Sequence, residues 1–440
     1  MSTDINGAEV FMLFGERVHP QIAVPAFEAL RIGPDTAAEL ARFLEQHITT
    51  PTTSAAAVFV GEKTPNEDGL VQSMVAHYHR AATQINTLST QAEFGFNIVR
   101  TLQRNPAWAC QRGLPFAGQR VFVVGAGASL DDFADVLPEL AKRGHVLTSN
   151  SGLGALQRAG VTPDAVTYCE RMHLQHHLAG YEGAVVLDAR ASQQAWDAAK
   201  HPLCCVQIDP DLSGYLRAMR VAPLKYEVSA FNCAVAQAFA WGAQEVVILG
   251  ASFCMFPGAA YAKGSVHQDV FEWCEGGRVI ERGKVGVPAE RSASVVELPA
   301  IGGGTVASPS YFADEIASLS AMACRVQIRN LNTRGVEIQN TTPIRLDEVL
   351  AMPVMTERHD FTAPMLGVDA SAVLREIEVA CRAFLEVQSP SPRPGLLRFF
   401  ARRALMMQSA AANWEERKRT LINAIALGAV GVLDLMEREP

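Results

Sequence analysis

The run Val121–Leu130, VFVVGAGASL, sets a Gly125-Ala126-Gly127 turn directly behind four apolar residues. A strand that ends in such a turn lets backbone N–H groups come close to a phosphate, and the dipole of a following helix favours negative charge there. Ser129 would add a hydroxyl donor. The same residues also suit a tight strand–helix turn with Ser129 as the N-cap. Further along, Glu170-Arg171-Met172-His173 closes another apolar run. Glu170 is the first candidate general base, able to draw a proton from a hydroxyl, with His173 as the fallback acid or base. Arg171 could neutralise a phosphate or carboxylate. His173, His176 and His177 lack a third partner at zinc-ligand spacing, so a zinc site is not expected.

Other polar groups fall at the ends of apolar runs. Thr148-Ser149-Asn150-Ser151 suits a base or ribose, or simply caps the helix that follows. Asp164, after Pro163, suits a ligand contact or a turn that caps backbone amides. Ser252 follows VVILG, where it can donate to a ligand oxygen but cannot hold a metal strongly. Tyr261 could stack or donate, and Lys263 could meet a phosphate. His267 could protonate a leaving phosphate, or be a surface histidine. Asp209-Pro210-Asp211 reads as a turn. Arg393, Arg398, Arg402 and Arg403 form a basic stripe, read as a solvated helix face.

The elements that must position these groups alternate. Strands are expected at Val121–Val124, His145–Thr148, Ala165–Cys169, Ala184–Leu187, Cys204–Ile208 and Val246–Leu249. Helices are expected at Leu130–Arg143, Gly152–Ala159, Ser192–Ala199, Leu212–Met219 and Asn232–Trp241. Such alternation predicts a doubly wound, mostly parallel sheet, with ligands at the carboxyl ends of the strands. Residues 264–310 read as a flexible hairpin region beside the site. A helix at Tyr311–Met322 and a strand at Val326–Leu331 complete the core. Residues 1–60 read as a small α/β region, with strands at Val10–Phe14 and Ala55–Val60 and a helix at Asp35–Ile48. Residues 61–115 are a mainly helical connector, with Phe94, Ile98 and Leu102 on one face. The central domain spans 116–345. A helical C-terminal domain follows at 346–440, its helices at Ala370–Val387 and Leu396–Glu437 joined by a proline-rich linker.

The 440 residues allow two or three domains. A hydrophobic fraction of 49% and a charged fraction of 19% mark a globular chain, and a net charge of -8 gives no broad footprint for nucleic acid. The nine cysteines contain no Cys-x-x-Cys and read as reduced, mostly buried thiols. The start MSTDINGAEV lacks the basic and apolar regions of a signal peptide, and no apolar run is long enough for a membrane span. A cytoplasmic location is the expectation.

In order and spacing, the motifs resemble those of the motility-associated factor (Maf) glycosyltransferases, whose central domain is also described as 6-hydroxymethylpterin diphosphokinase-like (MptE-like). The likeness covers roughly residues 85–345. It runs from Asn86 through Phe116–Arg120, the glycine turn, and Ala159-Gly160-Val161-Thr162-Pro163-Asp164 to Glu170. It continues through Ser229-Ala230-Phe231-Asn232, Trp241-Gly242, Val246–Gly250 and Tyr261-Ala262-Lys263-Gly264-Ser265, and ends at Asn330–Ile338. Two positions depart from the family pattern. Ala128 stands where proline is usual, and Ser252 where aspartate is usual.

The resemblance implies a Rossmann-like, sialyltransferase-like core working without a metal or other cofactor. It implies transfer of a nonulosonic acid, of the pseudaminic or legionaminic type, from a CMP-activated donor to Ser or Thr of flagellin, in support of motility. Partners would be flagellin, with or without its chaperone, and the CMP-sugar, with no nucleic acid and no membrane insertion. Gly125, Gly127, Ser129, Asn150, Asp164, Arg171, Ser229, Asn232, Ser252, Tyr261 and Lys263 would bind the donor nucleotide. Glu170, His173 and His267 would carry the chemistry. Ser229 and Asn232 can equally be simple helix caps. The alternatives are a pyrophosphokinase using ATP with Mg²⁺ held by carboxylates, and a non-catalytic nucleotide-binding protein.

Overall fold

A computed structural model describes residues 3–5, 8–14, 55–60, 91–170, 178–207, 212–225, 229–254, 261–268, 271–275, 278–282, 291–309, 312–387 and 414–437. The expected helix at Asp35–Ile48, Arg171 and His173 with the neighbouring histidines, Asp209–Asp211, the proline-rich linker and the basic stripe lie outside the described residues.

Near the N-terminus, β1 (Thr3–Ile5), β2 (Ala8–Phe14) and β3 (Ala55–Val60) form a three-stranded sheet in that order. Helix α1 (Gln91–Gln103) follows. The core is an eight-stranded sheet. In chain order its strands are β4 (Arg120–Val124), β5 (His145–Ser149), β6 (Ala165–Tyr168), β7 (Ala184–Asp188), β8 (His201–Cys205), β9 (Glu245–Leu249), β14 (Ile328–Asn330) and β15 (Thr342–Pro343). The spatial order is β15-β14-β9-β4-β5-β6-β7-β8, and every neighbouring pair is parallel. The doubly wound α/β fold is thus as the alternation predicts. Residues of β5, β6, β7 and β9 are buried throughout, as expected of strands covered on both faces. From β4 the chain winds outward to β8, then returns to build β9, β14 and β15 on the other side. The winding reverses between β4 and β9.

The connecting helices are α2 (Leu137–Ala141), α3 (Leu153–Arg158), α4 (Gln193–Ala198), α5 (Ser213–Ala218) and α6 (Ala230–Ala240). The single helix expected at Leu130–Arg143 is instead a 3₁₀ run, Ala128–Phe133, followed by α2, whose first turn holds Pro138. Proline fits a first turn because its missing N–H is not needed there. Helix α6 is nearly all apolar and buried from Ala230 to Ala238. Its alanines let it lie close over the sheet, where it meets β4, β5, β6 and β9.

Within 264–310, expected as a flexible hairpin region, described residues form a four-stranded antiparallel sheet: β10 (Phe271–Glu275), β11 (Arg278–Arg282), β12 (Arg291–Pro299) and β13 (Thr305–Pro309). Helix α7 (Ala313–Ala323) then leads into β14, and α8 (Leu346–Leu350) follows β15. Helices α9 (Ser371–Val387) and α10 (Trp414–Glu437) pack on α1 and on each other. No helix among the described residues is long and apolar enough to cross a membrane.

Candidate functional site

In an open parallel sheet, ligands bind beyond the carboxyl ends of the strands, where the winding reverses. Here that place lies between β4 and β9, and the glycine turn sits on it. Gly125 N–H donates to the Leu249 carbonyl at 2.8 Å and Gly127 N–H to the Gly250 carbonyl at 2.7 Å. A Cβ on Gly125 would stand 2.4 Å from the Gly250 oxygen, and one on Gly127 2.8 Å from Ser252 Oγ. Gly250 itself has φ +68°, in the left-handed region. These glycines let two strand ends approach each other. The amides of Gly125 and Gly127 are committed to protein carbonyls, so the phosphate cradle expected of these two groups is corrected to a strand-end junction.

Two further expectations change with it. Ser129 is fully buried and its hydroxyl donates to Asn332 Oδ1 at 3.2 Å. That same oxygen accepts from Gly250 N–H at 2.8 Å, and Asn332 in turn donates to Asn330 Oδ1. Ser129 is therefore part of an asparagine clamp on the β4–β9–β14 junction, not a donor to a phosphate. Ser252 is enclosed too. It packs between Gly127 and Gly335, and its carbonyl accepts from Val336 N–H at 2.9 Å. Its hydroxyl does not open onto a ligand site.

Asp164 stands at the other edge of the sheet, before β6. Its carboxylate accepts from Val146 N–H at 2.7 Å and from Arg358 Nη1 at 2.9 Å. It lies 3.3 Å from Nδ1 of fully buried His145, within ion-pair reach but out of line for a hydrogen bond. Burial alone would raise its pKa, but His145, the Val146 amide and Arg358 outweigh that and hold it below the ordinary value. Asp164 anchors the segment at 353–361 across the amino ends of the strands. The expectation that it binds the donor is corrected: it is the turn-capping residue of the second reading.

The carboxyl ends of β4, β5 and β6 gather most of the other expected residues. Tyr261 bridges to Gly127, and Ala262 N–H donates to the Ala126 carbonyl at 2.9 Å. The Tyr261 and His267 rings lie 5.0 Å apart. Ser265 Oγ donates to the Ser151 carbonyl at 3.1 Å, tying this segment to the end of β5. Ser149 and Asn150 are buried beneath it. Lys263 is exposed; it lines a surface groove with Asp131, Asp135 and Arg158, on the outer side of the junction.

Beside these, two helix starts meet. Ser229 is the N-cap of α6, accepting from Asn232 N–H at 3.2 Å. Asn232 Nδ2 donates to the Glu315 carbonyl, in the first turn of α7, at 3.1 Å. The Glu315 carboxyl lies within electrostatic reach of Ser229 and Glu170. Glu170 lies two residues beyond the end of β6. Its carbonyl accepts from Ser192 N–H at 3.1 Å and its side chain is exposed. Burial pushes the Glu315 pKa up to about 7; the Ser229 hydrogen bond opposes this, and the charges of Glu170 and Asp314 add to it. The residue as a whole is half-buried.

Sequence reading missed Glu315. Acidic residues in a first helical turn are ordinary partners of the helix dipole, so Asp314-Glu315 carried no distinguishing signal. Among the described residues, no group of three or more His, Cys, Asp or Glu is assembled as a metal site. Cys205 Sγ lies 3.8 Å from Cys233 Sγ, unbridged and buried. Two larger cavities lined by described residues, each about 500 Å³, lie toward the amino edge, around Arg120 and Glu245 and around Pro163 and Arg358. They sit away from the strand ends that bear the candidate chemistry.

No protein-family model matches this chain, and no curated protein does. Among solved structures, the chain is similar to a MAf glycosyltransferase from Magnetospirillum magneticum AMB-1, with 16% identity, 93% of this chain and 69% of that chain covered, and a TM-score of 0.49.

Proposed function

We propose that the chain is a glycosyltransferase of the motility-associated factor type, moving a nonulosonic acid from a CMP-activated donor to Ser or Thr of flagellin. The observation that carries the reading is the gathering at the carboxyl ends of β4–β6 of Asn150, Glu170, Ser229, Tyr261 and His267, residues that the family resemblance names as donor-binding or catalytic. CMP departs as positive charge grows at the anomeric carbon, and the acceptor hydroxyl attacks. The protein must steady the departing phosphate and take up one proton. In this reading Asn150 and Tyr261 hold the nucleotide, and His267, its ring tilted 43° to that of Tyr261, protonates the phosphate. Glu170 is the first candidate to take the acceptor's proton, with His173 as the fallback, and Arg171 is the candidate partner of the donor's phosphate or carboxylate; Arg171 and His173 lie outside the described residues.

Differential binding tests this. A ligand that binds only the folded state at about 100 times its Kd stabilises by about 2.7 kcal/mol. CMP is expected to raise the melting temperature, while ATP with Mg²⁺ leaves it unchanged. The reverse result would replace the transferase with the pyrophosphokinase reading. Mass spectrometry of flagellin from cells with and without the gene then identifies the sugar.

A further inference from the structure

We infer that a cavity at the outer edge of the sheet, beside the start of β8, binds a small organic phosphate. The cavity holds about 410 Å³, within the range of small-molecule sites. Its basic lining residues are Arg104, Arg112, Lys200 and His201, and among the described residues no Asp or Glu lines it. In a chain with 46 acidic residues against 38 Lys and Arg, a lining without a carboxylate favours a negatively charged occupant. Two of the four bases are structural. Arg112 donates to the carbonyls of Asp360, Phe361 and Ala363 at 3.2, 2.6 and 2.8 Å. Arg104 donates to Gln193 Oε1 and pairs with Asp197, each at 2.8 Å. Lys200 and His201 have no hydrogen bond or ion pair among the described residues. Trp196 lines the cavity too; it is 3% exposed, and its indole N–H has no acceptor. An ammonium, an imidazole and an indole N–H are thus left to a ligand. A phosphate monoester brings about 1.5–2 negative charges and three acceptor oxygens, which answers this set. A carboxylate brings one charge and two oxygens.

The enclosure is fixed by a strap, residues 360–370, tied at both ends. Arg112 holds one end through the three carbonyls above. At the other, Val368 N–H donates to the Pro106 carbonyl and Ala370 N–H to Asn105 Oδ1, both at 3.1 Å. Asn105 has φ +47°, a left-handed conformation that asparagine tolerates. A Cβ on Gly367 would run into the Asn105 carbonyl, so the strap lies directly against the end of α1. Between these ties Pro364 and Met365 line the cavity, as do Pro202 and Leu203 of β8. They give the organic part of the ligand apolar contacts. The cavity is separate from the strand ends that bear the transferase candidates. Helix α4 has Ser192 as its N-cap, whose N–H donates to the Glu170 carbonyl, while Trp196 and Lys200 stand toward its other end. His201 opens β8 at the amino side of the sheet. The inference therefore does not depend on the transferase reading.

The test titrates phenyl phosphate into the full chain by calorimetry, with inorganic phosphate, benzoate and benzyl alcohol for comparison. Phenyl phosphate should bind with a Kd below about 1 mM. Inorganic phosphate lacks the apolar body and benzoate the second charge, so both should bind more weakly. Benzyl alcohol should not bind. Added salt should weaken the phenyl phosphate complex, because the attraction is ionic. Lys200→Gln should weaken it about tenfold or more, and Lys200→Arg should retain most of the affinity. Lys200 is exposed, so both variants should fold as wild type does. Trp196→Phe keeps a ring and removes the donor, and should also weaken binding. His267→Ala, at the strand ends, should leave it unchanged. Absence of saturable phenyl phosphate binding overturns the inference, as does affinity that Lys200→Gln leaves intact. Benzyl alcohol binding as tightly as phenyl phosphate overturns the choice of an anion. Binding lost in His267→Ala and kept in Lys200→Gln places the phosphate at the strand ends instead, which overturns this site and leaves the transferase reading standing.

Discussion

Glu315 ties protonation to stability in a single side chain. Its folded pKa of about 7 stands above the ordinary glutamate value, so between these two the native state holds more proton than the unfolded chain. Stability at this site is therefore complete at pH 4 and declines as the pH rises through 7. A shift of this size corresponds to about 3 kcal/mol at full burial, and the surface that Glu315 retains places the effect nearer 1–2 kcal/mol. Glu315→Gln removes the charge and keeps the shape. Urea titrations should find the variant more stable than wild type at pH 8 and equal to it at pH 4. Equal stability at both would mean that the carboxyl is fully solvated. Asp164 has the opposite sign. Its pKa is lowered, so its contribution is present at neutral pH and is lost as the pH falls through the acid range. Removing this buried carboxylate leaves the Val146 amide without its acceptor and Nδ1 of His145 without its nearest charge. Asp164→Ala should cost about 2–4 kcal/mol at pH 7. CMP affinity should be unchanged, since the residue lies at the far edge of the sheet.

At the scale of elements, the glycine turn shows what sequence can and cannot reveal. A strand followed by Gly-Ala-Gly needs close backbone approach, and that much is legible. What approaches is not, because Gly250 lies 125 positions further along and only the folded sheet brings it to Gly125. Phosphate and neighbouring strand require the same residue. Gly125→Ala forces a methyl against the Gly250 carbonyl, which is backbone and cannot swing aside. The expected loss is about 1–3 kcal/mol in urea titrations, the same with and without CMP. If the variant keeps its stability and loses only CMP affinity, the turn is a phosphate cradle after all. Strand β8 was misplaced for a different reason. Pro202 argues against a strand from its position in sequence, and the apolar run that follows it drew the expectation to Cys204–Ile208. The strand is His201–Cys205, and Pro202 is tolerated because β8 is the last strand of the sheet. The alternation itself was readable, because fully buried parallel strands leave unbroken apolar runs. The meeting of α6 and α7 was not, since Ser229 and Glu315 come from capping and first-turn positions that carry the same residues in any helix.

At the scale of the whole molecule, the helical ends of the chain share one core with the sheet. On α9, Ile377, Cys381 and Phe384 are buried, as are Ile425, Ala429 and Val432 on α10. They belong to one apolar cluster with Ile98, Val99 and Leu102 of α1 and with Val185 and Leu187 of β7. The contact is close. A Cβ on Gly431 would lie 2.8 Å from the Phe96 ring, and Gln103 Nε2 donates to the Leu435 carbonyl at 2.9 Å. Helix α1 also reaches the sheet's carboxyl edge, where Thr101 Oγ1 donates to the Ala189 carbonyl just after β7. The C-terminal helices thus press on an element that braces the strand ends near Ser192 and Glu170. The boundary expected at residue 345 divides the chain by composition but crosses this shared core. Each large buried side chain removed from a core costs about 2–5 kcal/mol, against a total stability of about 5–15 kcal/mol. A chain ending at residue 365 loses all six of the α9 and α10 residues named above. It should lose cooperative urea unfolding and bind a hydrophobic dye, while keeping far-ultraviolet dichroism from its remaining strands and helices. Ile377→Asp in the full chain should act in the same direction, because an unpaired carboxylate would be buried against α1. A truncated chain that unfolds cooperatively and binds CMP with wild-type affinity would show that the helices are an independent domain and that α1 needs no cover to hold the site.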